Sequence, residues 1–172
     1  MKQFLEAGKA VTTHGIKGEL KLYPWCDSAH DLCKLKKLYL DDKGHRPVKI
    51  ESAHVHKNMV LVKFEGYNTI EEARKLIGQI FYLDRNSIEL PEGVHFVVDL
   101  IGLTVIDADY PDTVYGTLID VTETGAHGIY HIKIANGHIG MIPAVKEMII
   151  SIDVEGGTMK IRPPKGLFDD ED

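Results

Sequence analysis

His14-Gly-Ile-Lys-Gly-Glu-Leu-Lys-Leu-Tyr23 first turns and then alternates. Gly15 and Gly18, three residues apart, mark a tight loop, because glycine adopts the positive φ values such loops need. From Lys17 onward charged and apolar residues alternate, which puts Leu20 and Leu22 on one face of a strand. Short strands between turns then recur downstream. Lys36-Lys-Leu-Tyr-Leu40 is a strand closed by the turn signal Asp42-Lys-Gly44, and Val48 and Ile50 share a face of the next one. Val60, Val62 and Phe64 do the same one strand later, after a turn near Lys57-Asn58.

One helix interrupts this run. Thr69-Ile-Glu-Glu72 fits a capping box, with the Thr69 hydroxyl taking an early N–H and Glu72 reaching back. Ile70, Ala73 and Ile77 follow at spacings of three and four, which predicts a core-facing stripe that Gly78 ends, with Glu71 and Lys75 paired outside. Gln79-Ile-Phe-Tyr-Leu83 returns to strand. Asn86-Ser, Leu90-Pro and Glu92-Gly then give the strongest linker signal in the chain.

Beyond the linker, Leu103-Thr-Val-Ile106, Val114-Tyr-Gly-Thr-Leu-Ile-Asp-Val121, Ile129-Tyr-His-Ile-Lys-Ile134 and His138-Ile-Gly-Met-Ile142 are short and bounded by turns. Asn136-Gly137 is a strong hairpin signal, since both residues tolerate positive φ. Tyr130, Ile132 and Ile134 point one way, His131 and Lys133 the other. Met159 and Ile161 form a last strand before Pro163-Pro164, and Asp169-Asp-Glu-Asp172 is a polar run expected to fray. Each half must wrap a small core of its own, and barrels do this without leaving sheet edges open. The expected fold is mainly β: two linked small β-barrels with one short helix in the first. The expected domains are residues 1–84, a linker at 85–97, a second barrel at 98–168 and an acidic tail at 169–172.

Hydrophobic residues make up 44% of the 172 and charged residues 27%, which excludes collagen-like, disordered and disulfide-dense chains. No apolar run approaches the roughly 20 residues of a membrane helix. Met1-Lys-Gln-Phe-Leu-Glu-Ala-Gly8 places a charge on either side of its apolar pair, so it holds no signal-peptide core. The expectation is a cytoplasmic protein with no membrane contact. The net charge is −6, unevenly spread: residues 1–90 hold 15 Lys/Arg and 12 Asp/Glu, whereas 91–172 hold 5 and 14. The second half, at −9, repels phosphate and attracts basic proteins, or simply keeps its domain soluble.

The catalytic inventory is empty. Cys26 and Cys33 lack zinc spacing and read as incidental thiols. Among nine histidines, His54 and His56 share a strand face, while His127 and His131 span a turn into a strand, and no set completes a metal site. Ser28, Ser52, Ser87 and Ser151 sit in no nucleophile elbow, and no phosphate-binding glycine loop occurs. Neither cofactor nor metal is expected. Lys34, Lys36 and Lys37, with His30 nearby, could touch RNA phosphates, but three lysines beside three apolar residues read rather as a solvated strand face. Phe96, near the end of the linker, is divided between core packing and a partner surface.

Several stretches in order resemble the RimM family of ribosome maturation factors. They are Gly8-Lys-Ala10, His14-Gly-Ile-Lys-Gly-Glu-Leu-Lys21, Glu71-Glu-Ala-Arg-Lys-Leu-Ile-Gly78 and Asp99-Leu-Ile-Gly102. Gly116-Thr-Leu-Ile-Asp-Val121, Gly125-Ala126, Ile142-Pro-Ala144, Ile152-Asp153, Ile161 and Pro164-Lys-Gly-Leu167 complete the series. The resemblance implies an N-terminal six-stranded split barrel and a C-terminal PRC barrel. It implies a non-enzymatic chaperone of ribosome biogenesis, a monomer that binds free 30S subunits rather than 70S ribosomes. Its implied partners are the nineteenth ribosomal protein of the small subunit and nearby 16S rRNA of the head, whose maturation it assists. Just before Asp99 the family pattern carries an adjacent tyrosine pair linked to ribosome engagement, and His95-Phe96 stands in that place. Phe96 keeps the ring without the hydroxyl, and His95 keeps a smaller planar ring. His95, Phe96 and Asp99 are thus expected near the partner surface, with His14, Gly15, Lys17 and Gly18 as a second contact. The rival readings are a PRC-barrel interaction module unrelated to ribosomes and a split-barrel flavin protein.

Overall fold

The computed structural model describes residues 1–25 and 29–168; Cys26, Ser28 and the acidic tail at 169–172 lie outside the described residues. Two compact units divide the chain, Met1–Leu90 and Pro91–Asp172.

In the first unit β1 (Phe4–His14), β2 (Glu19–Pro24), β3 (Lys37–Tyr39), β4 (Pro47–His56), β5 (Met59–Phe64) and β6 (Ile80–Asp84) close a barrel in the order β1-β2-β5-β4-β3-β6. Closure rests on β1, which pairs with β6 through its first half and with β2 through its second. Its register shifts between Glu6 and Gly8 and again between Ala10 and Thr12, and such bulges bend a strand enough to join both ends of a sheet. Alternation then fills the interior: Leu20, Leu22, Val60, Val62, Phe64, Phe81 and Leu83 are all buried. The Phe64 and Phe81 rings stack at 4.9 Å, and burying each contributes about 2–3 kcal/mol.

Two short helices decorate this barrel. α1 (Ala29–Cys33), which carries no periodic signal long enough to read from sequence, packs on β4 through buried Leu32. α2 (Ile70–Arg74) begins as its sequence dictates: the Thr69 hydroxyl accepts the Glu72 N–H at 3.2 Å, and the Glu72 carboxylate accepts from that hydroxyl. Its end differs from the expected stripe. Leu76 is 5% exposed and Ile77 44%, so Leu76 takes the core position. Leu76 N–H bonds Ala73 and Ile77 N–H bonds Arg74, three residues back, and this tighter winding rotates Leu76 inward. A 3-10 turn at Arg85–Ser87 follows β6, its Arg85 N–H bonded to the Gln3 carbonyl.

The second unit starts with α3 (Val97–Leu100) and continues through β7 (Thr104–Asp107), β8 (Val114–Glu123), β9 (Gly128–Ile134), β10 (Ile139–Pro143), β11 (Ile149–Asp153) and β12 (Thr158–Ile161). The sheet order is β10-β9-β8-β7-β12-β11, with β12 parallel to β7. Laid flat, five steps of about 4.8 Å would hold β10 and β11 about 24 Å apart. Pro143 to Ile149 spans at most about 21 Å even fully extended, and this link is turned, with Met148 and Ile149 N–H groups both on the Val145 carbonyl. The sheet therefore rolls up around its core of Leu100, Leu103, Val105, Leu118, Ile132, Ile142, Met159 and Ile161.

Two glycines explain why the unit closes tightly. A Cβ on Gly116 would lie 2.0 Å from the Lys133 carbonyl oxygen, so only glycine lets β8 approach β9 there. Gly137, at φ +88°, ends a three-residue hairpin loop in which its N–H bonds Ile134 and the Ile134 N–H bonds His138. Asn136 keeps negative φ and instead accepts the His138 N–H on its side chain, so only one residue of the Asn-Gly pair is left-handed.

Candidate functional site

The loop at residues 15–18 stands on the last β1–β2 pair, His14 opposite Glu19. Gly18 is fixed by packing as well as by φ +95°: a Cβ would lie 2.0 Å from the Tyr67 carbonyl oxygen. Gly15, at φ +66°, faces open space. The loop holds Ile16 and Lys17 out to solvent, Ile16 at 75% exposure. His14, Gly15, Ile16, Lys17 and Glu19 line a shallow depression open to solvent. The His14 ring lies 6.1 Å from that of His56 on β4.

His95, Phe96 and Asp99 belong to the second unit, and all three are half-buried. Phe96 is the N-cap of α3, and its carbonyl accepts the Asp99 N–H at 3.0 Å. Leu100 and Leu103 anchor the following turn in the core, and Gly102 N–H bonds the Leu118 carbonyl. The Asp99-Leu-Ile-Gly102 motif is thus a docking turn that fixes the Phe96 backbone on the first element of the unit.

A hydrogen-bonded cluster of charged side chains with no signal in the sequence pattern lies at the β7–β8 turn. Asp107, the buried charged residue among those described, accepts the Asp109 and Tyr110 N–H groups at 2.8 and 2.9 Å and the Tyr115 hydroxyl. The Tyr115 hydrogen bond, with the two backbone donors, holds the Asp107 carboxyl below its ordinary range. Arg162, just past β12, grips Asp109 with two bonds of 2.8 Å, which lowers the Asp109 carboxyl and raises the guanidinium. Tyr115 also stacks on Phe168 at 4.7 Å, and the Phe168 ring fills the space where a Gly140 Cβ would stand. These acids spend their oxygens on the β7–β8 turn and the end of β12, which is structural work.

Two histidine rings of the second unit are engaged in local structure. His131 Nε2 lies 2.9 Å from the Thr122 hydroxyl and His127 Nδ1 3.1 Å from the Gly128 carbonyl. Burial raises the Cys33 thiol. Among the described residues, no group of three or more His, Cys, Asp or Glu is placed to hold a metal ion, and no helix is long and apolar enough to cross a membrane. A second feature missed from sequence is the half-exposed pair Tyr23 and Trp25; extending the alternation past Leu22 would have found it.

Two family models match in succession: the RimM N-terminal domain over residues 5–88 and the RimM PRC barrel domain over 97–167. A ribosome maturation factor RimM from Clostridium botulinum is 38% identical over 164 residues, covering 95% of this chain and 96% of that one. Proteins of the same name from Ruminiclostridium cellulolyticum and Acetivibrio thermocellus are 36% and 37% identical, each covering at least 98% of this chain and 99% of its own.

Proposed function

The chain belongs to the RimM family of ribosome maturation factors, with a role in ribosome assembly, and on that premise we propose that it is a cytoplasmic, monomeric and non-enzymatic chaperone of the 30S subunit. It binds the free subunit and the basic nineteenth ribosomal protein of its head, and thereby assists 16S rRNA processing and head maturation. The observation that carries this reading is the charge split: 14 Asp/Glu against 5 Lys/Arg in residues 91–172. A field of that sign draws in a basic protein and repels phosphate, so the second unit holds the protein partner while rRNA folds. His95, Phe96 and Asp99 contribute the ring and charge at that contact, and His14, Gly15, Lys17 and Gly18 form a second contact. Binding energy suffices for such work.

The test is the affinity of the full chain for the purified nineteenth protein. Binding should weaken at least tenfold between about 50 and 300 mM salt, and Asp99→Asn and Phe96→Ala should weaken it further. Affinity indifferent to salt and to both substitutions would refute the assignment.

A further inference from the structure

The outer face of the β1–β2 ladder carries bare aromatic rings beside lysines. Lys9 lies directly opposite Tyr23, and Thr12 opposite Lys21. The ladder runs one residue beyond β2, because the Trp25 N–H bonds the Ala7 carbonyl at 2.9 Å. Alternation with inward Leu20 and Leu22 therefore sets Lys21, Tyr23 and Trp25 on one outward row. Tyr23 is 50% exposed and Trp25 43%, and the bulge that shifts the register between Ala10 and Thr12 leaves Val11 exposed next to them. Among the described residues neither Lys9 nor Lys21 is ion-paired. Glu6 and Glu19 stand toward the two ends of the row, and the loop with Lys17 continues it past Glu19.

We propose that this face is a stacking platform for single-stranded RNA, with bases on Tyr23 and Trp25 and phosphates on Lys9 and Lys21. The identity of the strand as RNA rests on the ribosome-assembly reading above. Rings two residues apart on a strand stand about 6.7 Å from each other, which lets neighbouring bases of an extended strand each find a ring. Stacking needs flat, half-bare rings and flanking cations rather than a pocket. The unit around it also has the right sign, 15 basic against 12 acidic side chains in residues 1–90. The two units then divide the labour, the first meeting RNA and the second a basic protein.

Trp25 is the chain's one tryptophan, so its emission reports on the platform directly. The full chain is titrated with a short unstructured oligouridylate. Saturable quenching is expected, with affinity falling as salt rises. Tyr23→Ala should weaken binding about tenfold, with Tyr23→Phe restoring most of it. Lys9→Gln combined with Lys21→Gln should flatten the log–log salt slope by about 1.4. Oligouridylate that fails to bind, that binds without changing Trp25 emission, or that binds Tyr23→Ala as well as the parent overturns the proposal. So does an emission change given only by a basic ribosomal protein, which would make this face a protein contact. The family reading is judged apart, by migration of the unaltered chain with 30S particles: migration without oligouridylate binding sinks the platform alone. Quenching without migration leaves the platform standing as a nucleic-acid site and removes its ribosomal setting.

Discussion

The Tyr115 hydroxyl ties two parts of the second unit at once, bonding Asp107 at the β7–β8 turn while its ring covers Phe168. Because Asp107 is held below its ordinary value, its contribution to stability is full above the unfolded carboxylate value of about 3.9 and is lost as pH falls through the lower folded value. Tyr115→Phe should therefore lower the melting temperature at neutral pH, by a gap that stays constant down to about pH 5 and narrows below it. A gap unchanged into strong acid would mean that the hydroxyl acts on something other than the ionised Asp107. The two loop glycines offer a second contrast. Gly18→Ala meets the Tyr67 carbonyl, whereas Gly15→Ala meets only its positive φ. Urea unfolding should show a loss of about 1 kcal/mol for Gly15→Ala and at least twice that for Gly18→Ala; equal losses would deny the close approach. Both glycines were legible in sequence as a loop. The partner of Asp107 was not, because Tyr115 reaches it only through a β7–β8 register that shifts between Val105 and Ile106.

Elements were legible where local chemistry decides them and illegible where winding or register does. Thr69 and Glu72 announce the start of α2, since a cap is made within four residues. The end of α2 depends on bonds to the third residue back, which no spacing rule reveals. The consequence is measurable: Leu76→Ala should cost about 2–4 kcal/mol and Ile77→Ala under about 1. The reverse order in chemical denaturation would restore the regular helical stripe. β2 was read from alternation through Leu22, whereas β1 and β11 were not read as strands, and the same rule continued to Trp25 would have exposed the aromatic row. Lys9 could not have been joined to it, because the pairing of Lys9 with Tyr23 is set by the bulge in β1 between Ala10 and Thr12.

At the scale of the molecule, family and architecture were legible because the signal is spread over nearly the whole chain. Glycines at close approaches (Gly18, Gly116) and turns docked by leucines (Leu100, Leu103) recur in a fixed order, and each is demanded by packing. Partner surfaces leave no such trace, since a side chain that meets a partner is constrained by that partner and not by the fold alone, so the proposed contact at His95, Phe96 and Asp99 had to come from the resemblance. The charge split is the large-scale feature of composition on which the proposed function rests. It ties the proposed function to the particle that would gather both a basic protein and unfinished rRNA, the free 30S subunit. The most direct measurement is sedimentation of cell extract through a magnesium-containing gradient, probing for this chain and for Phe96→Ala. Co-migration with 30S but not 70S particles, weakened in the variant, is the predicted result. A chain that stays at the top of the gradient at low salt would contradict the account.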